Sequence, residues 1–294
     1  IPSLATERSM PLAPKTALVL AGGGSLGAVQ AGMLAALCAA SERVDFVVGA
    51  SVGAINAGYF AAEPTLGCAR RLEAIWRSIT RHDVMPLTFS NAMNVLRRRG
   101  YLFDNKALRA LLERHIPYKL LENAAIPVHI VATDVLTGEE AVLSQGPVIE
   151  AILASAAIPG IFPPVRIGGR ELVDGGIANN TPVSTAVHLG ATRLIVLPTG
   201  FACALRTAPT GAAARAMHAI SQLVSRQLVS DIAYFADKAE ICVVPSLCPL
   251  DISPYDYTAC AGLVDQAEAS THAWIDAGGL KTSGAPDSLL EHAH

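Results

Sequence analysis

Charge is scarce in this chain of 294 residues: 16% are Asp, Glu, Lys or Arg, against 51% hydrophobic. So little charge beside so much apolar content excludes intrinsic disorder. Neither sign dominates. Lys and Arg total 22, Asp and Glu 25, and the formal net charge is −3. The basic surface of a dedicated nucleic-acid binder is missing. The apolar residues never form a run of about 18 or more, so no transmembrane helix is expected. The opening stretch IPSLATERSMPLAPK lacks the basic segment and apolar core of a signal peptide. A cytoplasmic location, or a peripheral one at a membrane surface, is therefore expected. Position 1 is not Met; processing, trimming or a true start near Met10 would each account for that.

Six cysteines are present: Cys38, Cys68, Cys203, Cys242, Cys248 and Cys260. None forms a CxxC pair, and no His pair stands at a zinc spacing. Reduced, buried thiols are expected, with no metal site and no disulfide framework.

What is there has a rhythm. Thr16–Ala21 is a short apolar run, Gly22–Gly27 a glycine turn, and Ala28–Ala40 a helical stretch. Val44–Val48, Gly49–Gly53 and Ala54–Ala62 repeat the pattern at once. Strand, turn, helix, taken twice, predicts an α/β protein with a largely parallel sheet. Further helices are expected over 67–80, 105–115, 148–156, 212–236 and 258–276, with Asp104 as an N-cap. Further strands are expected over 126–133, 140–143, 193–197 and 240–245, and a hairpin over 165–173 turning at Gly168-Gly169. Residues 81–104 are expected to be irregular, and their Arg97–Arg99 run a solvated loop face. The predicted organisation is a flexible leader (1–15), one domain (16–277) and a mobile tail (278–294).

Gly22-Gly-Gly-Ser-Leu-Gly27 fits two chemistries. As G-x-G-x-x-G between a strand and a helix it matches the dinucleotide fingerprint. That use also needs an acidic residue closing the second strand, to hold the ribose. Asp45 opens that strand instead. The other use is anion binding by backbone N–H groups, as in an oxyanion hole. A plain tight turn with no ligand stays open for this motif alone.

Gly49-Ala-Ser51-Val-Gly53 is a G-x-S-x-G nucleophile elbow, with Ser51 on a sharp strand-to-helix turn between Gly49 and Gly53. A serine needs a base. In an α/β-hydrolase the elbow normally comes after several strands, and here it follows the second. None of the histidines (His82, His115, His129, His188, His218, His272, His292, His294) sits in a glycine-framed turn, so core or surface roles are expected for them. Asp174 does sit in one, after Leu172-Val173 and before Gly175 and Gly176. A strand-end carboxylate there can face a cleft, though Asp-Gly pairs are also common in plain turns.

Taken together, Gly22–Gly27, Gly49–Gly53 and Asp174–Gly176, in that order, resemble the patatin-like phospholipase family. Ala154–Pro164 and Asn179–Pro182 are similar to the segments that flank its Asp turn. The resemblance runs from about Thr16 to Leu197. It implies a three-layer α/β/α fold around a mixed sheet and hydrolysis of acyl esters in lipids, with no cofactor and no metal for the chemistry. It implies a Ser-Asp dyad, with Ser51 as nucleophile and Asp174 as base. The oxyanion hole falls to the N–H groups of Gly22, Gly23, Gly24 and Ser25. Leu26 stands where members usually carry Arg or Lys, which makes an anionic headgroup a less natural substrate. The expected partner is a lipid or other acyl ester, with peripheral membrane contact and no nucleic acid. An acyltransferase on the same dyad, a dinucleotide-binding oxidoreductase and a non-catalytic lipid-binding module are the competing readings.

Overall fold

The computed structural model describes residues 15–86, 100–200, 211–248, 250, 252–286 and 289. The Arg97–Arg99 run, Cys203 and residues 1–14 of the expected leader lie outside the described residues.

Eight strands form one mixed sheet: β1 (Thr16–Leu20), β2 (Phe46–Ala50), β3 (Val128–Asp134), β4 (Glu140–Leu143), β5 (Val165–Ile167), β6 (Arg170–Asp174), β7 (Arg193–Leu197) and β8 (Glu240–Val243), in the order β5-β6-β3-β2-β1-β7-β8, with β4 paired to β3. The stretch β3-β2-β1-β7-β8 is parallel throughout. β4, β5 and β6 pair antiparallel. The chain leaves β1 towards β2 and β3, then crosses back to place β7 on the other side of β1. That reversal is where an open α/β sheet forms its crevice.

Strand residues alternate between two cores. Leu18 and Leu20 of β1, with Ile195 and Leu197 of β7, face one. Ala17, Val19, Leu194 and Val196 face the other. With both faces covered, a parallel strand reads as an unbroken apolar run, which is why β1 and β7 are plain in the sequence. Helices α1 (Gly27–Ala39), α2 (Val52–Phe60) and α3 (Leu66–Ser78) pack on the first core. Beyond them come the short α4 (Arg81–Val84), then α5 (Lys106–His115), α6 (Val148–Ser155) and α7 (Gly176–Asn179). Helices α8 (Val183–His188) and α9 (Ala212–Phe235) cover the second core, and α10 (Cys260–Asp276) returns to the first. The result is the expected three-layer α/β/α arrangement.

Three local expectations are corrected. β2 spans Phe46–Ala50, shifted from 44–48, because Gly49 and Ala50 are paired with Ile130 and Val131 of β3, and pairing overrides the poor strand propensity of glycine. The stretch after residue 80 contains α4, whose start is closed by Asp83 accepting the Thr80 N–H at 2.8 Å. Asn105, not Asp104, is the N-cap of α5, although Asp104 accepts the Lys106 N–H at 3.2 Å. Beyond α10, the described residues include a 3₁₀ turn at Gly279–Lys281 and a bridge from Gly284 to Cys242 of β8, because the Ile241 carbonyl at the sheet edge accepts the Gly284 N–H at 2.8 Å.

Candidate active site

The register of β3 explains how Ser51 meets Asp174. Ile130 and Val131 face Gly49 and Ala50 of β2 on one edge, and Leu143 and Val142 of β4 on the other. Ala132 and Thr133 face Asp174 and Val173 of β6 on one edge, and Ala141 and Glu140 of β4 on the other. β4 therefore holds one edge throughout, and β6 takes over from β2 on the opposite edge. β2 runs parallel to β3 and β6 antiparallel, so their C-terminal ends meet head to head. Ser51 follows one end and Asp174 closes the other.

Ser51 stands between β2 and α2 with φ 55° and ψ −123°, a backbone region that side chains rarely enter. Holding it there costs on the order of 1–3 kcal/mol, which the surroundings must offset. They do so at close quarters. A Cβ on Gly53 would lie 2.2 Å from the Leu20 carbonyl oxygen, so the elbow fits against β1 only with glycine. The Ser51 N–H donates to Ser155 Oγ at 2.8 Å, and Ser155 Oγ–H in turn donates to the Val131 carbonyl. The hydroxyl of Ser51 is then free to donate to Asp174 Oδ2, at 2.7 Å. The first turn of α2, whose peptide dipoles end positive, starts at the same point.

Asp174 is 6% exposed and Ser51 8%. Burial pushes the Asp174 carboxyl up to about 6, while the bonds from Ser51 and from the Gly176 N–H (2.8 Å to Oδ1) pull the other way. Thr133 Oγ–H donates to the Asp174 carbonyl at 2.8 Å and fixes the strand end. Gly175 packs on the Val131 carbonyl, where a Cβ would come within 2.0 Å. Among the described residues, no histidine bonds to either side chain. His129 lies in β3 with Nδ1 2.7 Å from Ser144 Oγ, and His188 packs edge-on against Phe235. His115 lines the cleft described below.

The glycine turn sits beside the serine: a Cβ on Gly22 would be 3.1 Å from Ser51 Cβ and 2.5 Å from Asn180 Oδ1. Its four expected N–H donors are not equivalent. That of Gly22 is bound to the Asn180 carbonyl at 3.0 Å and that of Ser25 to the Pro254 carbonyl at 2.8 Å. Those of Gly23 and Gly24 have no acceptor among the described residues. Leu26 is buried in the core, so the position takes an apolar contact. Asp45 lies at the opposite end of the sheet, accepting the Thr16 N–H at 2.7 Å, far from where a ribose-binding acid is needed.

A cleft opens beside Ser51 and Gly24, lined by Ile55, Trp76, Leu108, Leu112, Phe162 and Tyr255 among others. The lining is almost wholly apolar. Its polar members include Asn56, which is itself bonded: Asn56 Oδ1 accepts the Trp76 Nε1–H at 2.9 Å. Grouped His, Cys, Asp or Glu side chains able to hold a metal do not occur among the described residues.

The family model of the patatin-like phospholipases matches residues 18–187, more than half of the chain. The chain belongs to this family. An uncharacterized NTE family protein of Mycobacterium tuberculosis is 33% identical over 181 residues, covering 60% of this chain and 47% of that protein. Lysophospholipase NTE1 of Mycosarcoma maydis is 30% identical over 191 residues, covering 62% of this chain and 10% of that protein. The chain thus spans about half the length of the first patatin-like relative and a tenth of the second. VipD from Legionella pneumophila aligns at 16% identity with a TM-score of 0.47, over 90% of this chain and 67% of that one. No described helix is long and apolar enough to cross a membrane.

Ser155, Thr133, Asn180, Thr199 and Pro254 are the contributors to this patatin-like site that sequence reasoning passed over as site residues. Ser155 and Asn180 lie inside segments that resemble the family, which was the available signal. Thr199 and Pro254 lie beyond residues 18–187 and carried none.

Proposed function

We propose that this chain is a serine acyl hydrolase of lipid esters, of the phospholipase A type, working through a Ser51–Asp174 dyad. The observation that carries this is the 2.7 Å hydrogen bond from Ser51 Oγ to Asp174 Oδ2, buried at the mouth of an apolar cleft. Family membership supports the lipid class of the substrate.

In the first half-reaction Ser51 Oγ attacks the ester carbonyl carbon, and Asp174 takes its proton. A free carboxylate with a pKa near 3.9 is a weak base at neutral pH. One raised to about 6 is still ionised at pH 7 and is better matched to the task. The carbonyl oxygen becomes an oxyanion, for which the open N–H groups of Gly23 and Gly24 are the donors. This narrows the expected set of four. The tetrahedral species collapses, the ester C–O bond breaks, and the leaving alcohol recovers the proton from Asp174. In the second half-reaction water attacks the acyl-Ser51 while Asp174 takes its proton. Collapse releases the carboxylic acid and returns the proton to Ser51. The apolar cleft takes the acyl chain and keeps bulk water from the pair.

The test is labelling of the whole protein with an alkyl fluorophosphonate and mass-spectrometric mapping of the adduct, beside hydrolysis of a p-nitrophenyl ester. A single adduct on Ser51 with ester turnover is expected. Turnover with no adduct on Ser51, or no turnover at all, would overturn the assignment.

A further inference from the structure

A turn made of glycines has a weakness as an oxyanion hole. A peptide flanked by two glycines can rotate about its neighbouring ψ and φ with little steric resistance. Such a flip turns the N–H away from where charge develops. Preorganised donors are worth much only if they stay aimed before the substrate arrives. The glycine turn therefore needs locks supplied from elsewhere in the fold.

Each peptide of the turn has one. The Ala21 carbonyl accepts from Gln30 Nε2 at 2.8 Å, and the Gly22 N–H on the same peptide is held by the Asn180 carbonyl. The Gly23 carbonyl accepts the Leu26 N–H at 3.2 Å, which sets the Gly23–Gly24 peptide and with it the Gly24 N–H. The Gly24–Ser25 peptide is held by Pro254. The Gly22–Gly23 peptide lies between two glycines, and its carbonyl is held by a side chain: Thr199 Oγ1–H donates to it at 2.7 Å.

Thr199 is 3% exposed and two residues beyond the end of β7, the strand that flanks β1 at the reversal of the sheet. A Cβ on Gly23 would lie 2.1 Å from Thr199 Oγ1, so the hydroxyl rests directly on the turn. The peptide is planar and trans, so its C=O and N–H point in opposite directions. A hydroxyl that fixes the Gly22 carbonyl on one side therefore fixes the Gly23 N–H on the other.

We infer that Thr199 is a positioning residue for catalysis: its hydroxyl locks the Gly22–Gly23 peptide and keeps the Gly23 N–H aimed at the oxyanion. This rests on the acyl-hydrolase reading above. It adds a residue that lies outside the family match and outside every motif in the sequence. Thr199 itself touches neither the substrate nor the reacting atoms. It acts through one peptide plane.

The experiment compares Thr199→Val, which keeps the shape and removes the donor, with Thr199→Ser, which keeps the donor. Thr199→Ala serves as the second hydroxyl-free variant if the valine protein does not fold, and circular dichroism checks each. On a p-nitrophenyl ester the hydroxyl-free variants are expected to lose roughly 10- to 100-fold in kcat, less than outright loss of a donor. KM should stay within about twofold, since the lost interaction belongs to the transition state. The serine variant should stay within about threefold of wild type, given a retained donor. A second readout separates aim from mere stability. An alkylboronic acid, which forms a tetrahedral adduct on a serine hydroxyl, should bind the hydroxyl-free variants roughly tenfold or more weakly. An alkyl ether of the same chain length, which forms no adduct, should bind them as it binds wild type. Equal kcat in the valine, alanine and serine variants, or equal weakening of boronate and ether, would overturn the role of Thr199. Wild-type protein that neither turns over the ester nor labels at Ser51 would instead remove the hydrolase reading, and this role with it.

Discussion

Turn Gly22–Gly27 follows β1, the elbow at Ser51 follows β2, and the two strands lie side by side with Leu20 paired to Gly49. Both turns start helices, and both depend on missing side chains. They differ in what they offer. The second turn presents one side chain, Ser51, in a strained conformation held by Ser155 and by the tight seat of Gly53 on β1. The first presents backbone only, two open N–H groups whose peptides are aimed by distant partners. A side-chain site tolerates no change of residue. A backbone site tolerates any residue that leaves the chain path alone. On the proposed function, the same local pattern of strand, glycine turn and helix would serve two chemistries, with the surrounding contacts deciding which.

Substitutions can break this contrast. The largest effect is expected at the side-chain turn: Ser51→Ala should fold normally, by circular dichroism, and lose up to ~10⁶ in p-nitrophenyl ester turnover. Wild-type-like turnover would end the nucleophile assignment.

Asp174→Asn comes next, with a loss of roughly 10⁴ in single-turnover acylation. In wild type the acylation rate should rise with pH through about 6, as the buried carboxyl ionises, and the Asn variant should lack that limb. Stability should move the other way. The folded pKa lies above the unfolded one, so the native state binds more protons between about pH 4 and 6, and wild-type stability falls as pH rises through that window. The Asn variant escapes this loss and should melt at or above the wild-type temperature at pH 8. A single His variant of His115, His129, His188 or His272 that folds yet is as dead as Asp174→Asn would point to a triad.

At the backbone turn, Gly24→Val should cost roughly 10²–10³ in kcat. Gly24 has φ +59°, and a Cβ there would come within 2.4 Å of the Pro254 carbonyl. The smallest effect is expected one residue on. Ser25→Ala removes a 3.3 Å bond to the Ser253 carbonyl but leaves the chain path intact, so kcat should stay within about threefold. Equal losses at Gly24 and Ser25, measured on the same ester, would mean that this turn does not work through its backbone.

Much of the fold was legible because its signals are local. β1, β7 and the helices show as apolar runs or helical periodicity bounded by glycine. The limits of β2 were less clear, since Gly49 and Ala50 are strand only by virtue of their partners in β3. α4 was hidden because a single capped turn leaves almost no periodic pattern. The bond from Gly284 to Ile241 could not be foreseen, because it joins residues with no common motif.

Ser51, Asp174 and the glycines were named from sequence alone, since each motif needs specific residue types within a few positions. Glycine identity already announces close backbone approach, and a serine between glycines announces a hydroxyl carried on a sharp turn. Spacing says nothing about the 2.7 Å between Ser51 and Asp174, which lie 123 residues apart. That distance comes from β6 meeting β2 end to end along one edge of β3, a matter of register across three strands. Nor does the sequence say which N–H groups of Gly22–Ser25 remain open, because the partners that occupy two of them, Asn180 and Pro254, arrive from distant parts of the chain. The rise of the Asp174 carboxyl likewise belongs to the tertiary structure. A carboxyl's own chemistry sets its pKa near 3.9 in water, and only the packing of the whole domain removes that water.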